Sequence, residues 1–135
     1  MIVVDASALV EFLLRTLTGV TVGTRIFADD HSLHAPHLLD VEVAHAVRKF
    51  VARGVVAHER GAMALQLLTD LSIVRYSHLG LLRRVWQLRD NVSAYDATYI
   101  ALAESLDVPL LTCNQRLARA SNHKAKIEFI PVRAH

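Results

Sequence analysis

The stretch IVVDASALVEFLL, residues 2–14, decides the fold: three β-branched residues read as a short strand, and the segment after them carries apolar residues at helical spacing. Asp5 falls at the junction. Either Asp5 or Ser7 can accept the backbone N–H groups that the first turn of a helix leaves without partners. The same alternation runs outward along the chain. SLHA (32–35), SIVRY (72–76), PLLT (109–112) and IEFI (127–130) are further strand candidates, and helical patterns cover 7–16, 21–29, 38–53 ending at Gly54, 58–71, 79–90 and 94–106. Strands that return in one direction through helical crossovers pair in parallel and need covering on both faces. The expected fold is therefore α/β, with three layers: a short, mainly parallel central sheet flanked by helices.

With 135 residues and 53% apolar content, one hydrophobic core can form, and without an internal repeat or Pro/Gly-rich linker residues 1–135 are expected to make a single domain. Apolar runs such as MIVV and VPLL fall far short of the ~20 residues of a membrane span. The N-terminus lacks the basic-then-apolar pattern of a signal peptide, so a cytoplasmic protein is expected. A single cysteine, Cys113, allows neither an internal disulfide nor a cysteine-rich zinc site, and reads as a small buried thiol. The net charge of +2 permits nucleic-acid contact without arguing for it. Basic pairs such as Arg48 and Lys49, or Arg83 and Arg84, are scattered along helical segments as solvated faces are.

In an open parallel sheet, chemistry collects beyond the carboxyl ends of the strands, which brings forward Asp5 after IVV and Asn114 after PLLT. Glu42 lies within PHLLDVEVAHAVRKF, on a helical face shared with Leu38, Leu39, His45 and Ala46, so its carboxylate should be partly sheltered. Asp40 points roughly 200° away around that helix and reads as plain solvent-facing. Asp96, in SAYDATYIALAE (93–104), fits a capping box in which Ser93 caps the helix and Asp96 is the third helical residue. Capping and ligation are compatible, because a carboxylate offers about four lone-pair sites.

Three carboxylates gathered in one cleft raise one another's pKa unless a cation joins them, and all-oxygen ligation favours Mg²⁺ or Mn²⁺. His31, His34 and His37 form an H-x-x-H-x-x-H series, but a period of three lines no face of a strand and Pro36 interrupts it. These read as surface histidines around the second strand. A phosphoryl-transfer enzyme with Asp5 as nucleophile would carry a second acid two residues on, where this chain has Ser7.

IVVDASALVEFLL, PHLLDVEVAHAVRK, SAYDATYIALAE and VPLLTCNQRLARA, in this order and spacing, resemble a PIN-domain ribonuclease, specifically a VapC-type toxin of a bacterial type II toxin–antitoxin system. The resemblance spans the whole chain. It implies a PIN-like fold in which Asp5, Glu42 and Asp96 bind Mg²⁺, with Mn²⁺ as the alternative ion, and in which Thr112 and Ser7 support the site. The family pattern T-x-D reads TCN here, so Asn114 stands where a fourth acid is usual. The resemblance further implies hydrolysis of an RNA phosphodiester to 5′-phosphate and 3′-hydroxyl ends, with Asp5, Glu42, Asp96 and Asn114 as the catalytic set. Arg116 and Arg119 are candidate RNA contacts. A homodimer neutralised by a cognate antitoxin protein, without a membrane, is implied as the assembly. Because Asn114 lacks the charge of the fourth acid, a second reading is a catalytically degenerate PIN-like module that binds RNA or protein.

Overall fold

A computed structural model describes residues 1–133. Five strands, β1 (Ile2–Val4), β2 (Leu33–Pro36), β3 (Ile73–Tyr76), β4 (Leu110–Thr112) and β5 (Ile127–Phe129), form one sheet in the order β3-β2-β1-β4-β5. Each neighbouring pair is parallel, as expected. The helices that flank the sheet are α1 (Ala6–Leu13), α2 (Leu17–Phe27), α3 (Leu38–Ala52), α4 (His58–Asp70), α5 (Leu82–Gln87), α6 (Ala94–Leu106) and α7 (Gln115–Ala118). β1 is central because its residues are apolar without interruption: Ile2, Val3 and Val4 are fully buried, as are Leu110 and Leu111 of β4 beside them. Strand order reverses between β1 and β4. In such a sheet the crevice outside the carboxyl ends of these two strands is left open, and Asp5 and Cys113 are the first residues beyond them.

The first helical segment departs from the expected boundaries of 7–16 and 21–29. The chain breaks at Arg15, which takes a left-handed conformation (φ 57°), and Thr16 starts a new helix by accepting the Gly19 N–H at 2.9 Å. The axes of α1 and α2 differ by 109°. Gly19 makes the corner possible, since a Cβ there would lie 2.0 Å from the Glu11 carbonyl oxygen. The expected helix 79–90 is likewise shorter: Leu79–Leu81 form a 3₁₀ turn, and α5 covers only Leu82–Gln87. No single helix among the described residues is long and apolar enough to cross a membrane.

Two side-chain readings are corrected by tertiary contacts. Asp40 is not simply in solvent: it accepts a two-pronged bond from the Arg75 guanidinium at 2.7 and 2.8 Å, joining α3 to β3. His34 is not a surface residue. It is 5% exposed, with its ring nitrogens 2.7 Å from the Ser32 hydroxyl and 2.7 Å from the Tyr76 hydroxyl, so its polar atoms are satisfied inside the fold. His31 instead meets Arg25, and His37 is exposed at the start of α3, so the three do not converge. Cys113 is buried as expected, and that burial pushes its thiol pKa up to about 12.

Candidate active site

Asp5 leaves β1 in an extended conformation and becomes the N-cap of α1. Its Oδ1 accepts the Ala8 N–H at 3.0 Å and the Ser7 hydroxyl at 2.7 Å, and its Oδ2 accepts the Thr112 hydroxyl at 2.5 Å. Thr112, the last residue of β4, is fully buried, and its Oγ1 also accepts the Asn114 N–H at 2.9 Å. The Ser7 oxygen accepts the Cys113 N–H at 3.0 Å. Both hydroxyl protons are thus committed to Asp5, and the 3.3 Å separation between Ser7 and Thr112 is packing rather than a further bond. Strand pairing makes this possible: parallel alignment of Val4 with Leu111 brings residues 107 apart in sequence side by side.

These donors do not fully offset the loss of water around a carboxylate only 3% exposed. Burial raises the Asp5 pKa to about 6, against the hydrogen bonds from Thr112, Ala8 and Ser7, and the nearby charge of Asp96 adds to the rise. Glu42, on α3, is half-buried; burial raises its pKa as well, the Tyr99 bond lowers it, and the charges of Asp96 and Asp5 raise it further. Its Oε1 accepts the Tyr99 hydroxyl at 2.6 Å. Tyr99 is 2% exposed, and its hydroxyl is held protonated by burial and by the Glu42 charge. Sequence reasoning missed Tyr99, although its position three residues after Asp96 on α6 places both on one helical face.

Asp96 is separated from its capping role by geometry. Ser93 Oγ caps α6 by accepting the Asp96 backbone N–H at 3.1 Å, but the return bond to the Asp96 carboxylate is not made. No hydrogen bond reaches that carboxylate among the described residues. Burial raises the Asp96 pKa, opposed by the charge of Arg116. Arg116 and Arg119 are both exposed, and Arg116 shares with Asp96, Ser93 and Arg89 the lining of a cavity of about 410 Å³. Asn114 does a different task from an acid: its Oδ1 accepts the Arg116 N–H at 3.0 Å and caps α7.

The donor set suits a hard divalent ion. All candidate atoms are carboxylate oxygens; Asp96 carries no hydrogen bond on its carboxylate, Glu42 uses one oxygen for Tyr99, and Asp5 Oδ2, which accepts only the Thr112 hydroxyl, retains acceptor capacity. Among the described residues no three His, Cys, Asp or Glu side chains stand close enough together to hold a metal ion between them. Mg²⁺ needs only one or two carboxylates and keeps several of its waters, so such an ion does not require all three side chains at once.

A family model described as PIN domain matches residues 2–122. The chain is 39% identical to ribonuclease VapC12 of Mycobacterium tuberculosis over 130 residues, covering 96% of this chain and 99% of that one. It is 43% identical to ribonuclease VapC1 of the same species over 129 residues, covering 95% and 96% respectively. Among solved structures, VapBC2 from Rickettsia felis bound to a DNA fragment from their promoter superposes with a TM-score of 0.68 at 14% identity, covering 96% of this chain and 98% of that one. The parallel sheet, together with these matches along nearly the whole length, establishes that the chain belongs to the PIN domain family and stands with its VapC members.

Proposed function

We propose that the protein is a divalent-metal-dependent endoribonuclease toxin, active as a homodimer and neutralised by a cognate antitoxin protein. The observation that carries this reading is the electrostatic influence among three carboxylates from three separate elements: the charge of Asp96 raises the pKa of both Asp5 and Glu42, and that of Asp5 raises Glu42 further. Such an arrangement is costly unless a cation shares it. Similarity to the VapC ribonucleases supports RNA as substrate.

Asp5, Asp96 and Glu42 would hold Mg²⁺ or Mn²⁺, which supplies charge neutralisation at the phosphate and a more acidic bound water. Ser7 and Thr112 fix the Asp5 carboxylate from two sides, so its orientation does not depend on the ion. Tyr99 fixes Oε1 of Glu42 and leaves Oε2 to receive a proton from the attacking water. Purified protein should cleave RNA, lose that activity in excess chelator, and regain it on addition of Mg²⁺ or Mn²⁺. In a bacterial host it should arrest growth alone but not with its antitoxin, and the Asp5→Ala, Glu42→Ala double variant should be harmless at matched expression. Equal toxicity of wild type and double variant would remove catalysis from the explanation.

One observation favours a second reading, a non-catalytic RNA- or protein-binding module: Asn114 has no charge, and its Oδ1 is already used to cap α7. Metal-independent RNA binding without cleavage would support it. For the nuclease, Asn114→Asp should keep the cap, since aspartate caps as well as asparagine. Its added charge should lower the Mg²⁺ concentration for half-maximal cleavage by about tenfold, comparable to other changes around a metal's ligands. It should also lower metal-free stability at neutral pH in a way that Mg²⁺ reverses. Titrations of cleavage and thermal unfolding against Mg²⁺ check this, and unchanged metal dependence in both places residue 114 outside the ion's reach.

A further inference from the structure

The site has a deficit of positive charge as well as of acids. A fourth carboxylate would help to recruit a second cation, but Asn114 stands at that position and turns its Oδ1 onto α7. Two residues on, Arg116 brings a cation into the same space. Its charge is felt by Asp96, and both side chains line the cavity between the start of α6 and α7. Among the described residues, the Arg116 guanidinium makes no hydrogen bond and no ion pair, so it faces Asp96 without being locked to it.

Two other arginines that pack on or beside α6 are tied down. Arg84 is held by Glu104 at 2.8 and 3.0 Å, and Arg89 donates to the Trp86 carbonyl at 2.9 Å while lying 4.5 Å over the indole centroid. A guanidinium kept across a cavity from a carboxylate leaves room for a phosphate oxygen between it and an ion at the acids. Its planar fork suits that oxygen better than an ammonium would.

We propose that Arg116 is a catalytic residue whose guanidinium contacts a non-bridging oxygen of the scissile phosphate and neutralises the charge developing there, a task otherwise suited to a second metal ion. The assignment rests on the nuclease reading of the site. In the hydrolysis, the water oxygen bonds to phosphorus as the P–O3′ bond breaks; one water proton passes to Glu42 and the 3′ oxygen gains a proton from solvent. Arg116 exchanges no proton and acts by charge alone.

The test compares wild type with Arg116→Ala, Arg116→Lys, the Asn114→Asp, Arg116→Ala double variant, and Arg48→Ala as a charge control on α3. Arg116→Ala should lower kcat about 100-fold, the usual cost of losing a group aimed at developing charge, with KM changed by less than about threefold. Arg116→Lys should restore part of the rate. In EDTA, where no cleavage occurs, the slope of log RNA affinity against log salt should flatten by about one for Arg116→Ala. Arg48→Ala should leave kcat unchanged. Calorimetry with Mn²⁺ should show the double variant binding one more ion than Arg116→Ala, with at least about tenfold of the lost rate regained. Wild-type kcat in Arg116→Ala, or a rise in KM alone, overturns the assignment. So does tighter Mn²⁺ binding with no loss of rate, which would make Arg116 only a counter-ion of Asp96. Absence of cleavage by the wild type with either metal strikes the nuclease reading itself and takes this inference with it.

Discussion

Asp96→Asn should reduce RNA cleavage by at least about 100-fold, the upper range for losing even an outer partner of a metal ligand, while leaving the folded structure intact. The two effects separate because the cap and the carboxylate belong to different atoms. Ser93 Oγ holds the backbone N–H of residue 96, which the substitution does not touch, and the carboxylate itself makes no hydrogen bond among the described residues. Removing its charge loses attraction to the positive end of α6, about 0.3–1 kcal/mol. It also relieves the electrostatic burden that Asp96 places on Asp5 and Glu42. These oppose one another, so the thermal midpoint in EDTA should move by no more than about 4 °C. Cleavage rates over a range of Mg²⁺ and a thermal scan without metal check both halves. Near wild-type cleavage at limiting Mg²⁺ would remove Asp96 from the ligand set.

The second large effect is a pH dependence of the metal-free protein carried by Asp5. Its carboxyl pKa is about 6 in the fold against an ordinary value of 3.8, mainly because of burial. Between those values the folded state keeps a proton that the unfolded chain has released, so folding takes up a proton. The Asp5 contribution is therefore fully present below the unfolded pKa and is lost as pH rises through the folded one. The loss is about 3 kcal/mol by linkage. Glu104 and Glu128, whose pKa values are lowered by Arg84 and Arg25, contribute in the opposite sense at lower pH. The difference between wild type and Asp5→Asn isolates the Asp5 effect, because asparagine keeps the cap on Ala8 and cannot ionise. Urea unfolding in EDTA from pH 4 to 7 should show wild type losing stability relative to Asp5→Asn by about that amount. Mg²⁺ should restore the wild type above pH 6. Parallel profiles for the two proteins would show that Asp5 is ionised in the fold without penalty.

The sequence by itself determined the alternation of strand and helix, the parallel sheet, and the placing of Asp5, Glu42 and Asp96 at element positions suited to one cleft. Each of these is a local property: uninterrupted β-branched residues make a buried strand, an acid after such a strand caps the next helix, and an acid among apolar helical neighbours is partly sheltered. The break between the first two helices was also local in origin and was expected, but a few residues too late: Thr16 caps the second helix where the apolar pattern carries the first through residue 16. Tertiary structure decided the partners. Thr112 reaches Asp5 across 107 residues and Tyr99 reaches Glu42 across 57, while Arg75 takes Asp40 out of plain solvent. It also showed that Ser93 alone caps α6, that Asn114 spends its oxygen on α7, and that Arg116 faces Asp96. Periodicity along the chain reports which side of an element meets the core, but not which other element lies opposite. That depends on strand order and register, set by the packing of the whole core, and hydrogen bonds and pKa values follow only once those neighbours are in place.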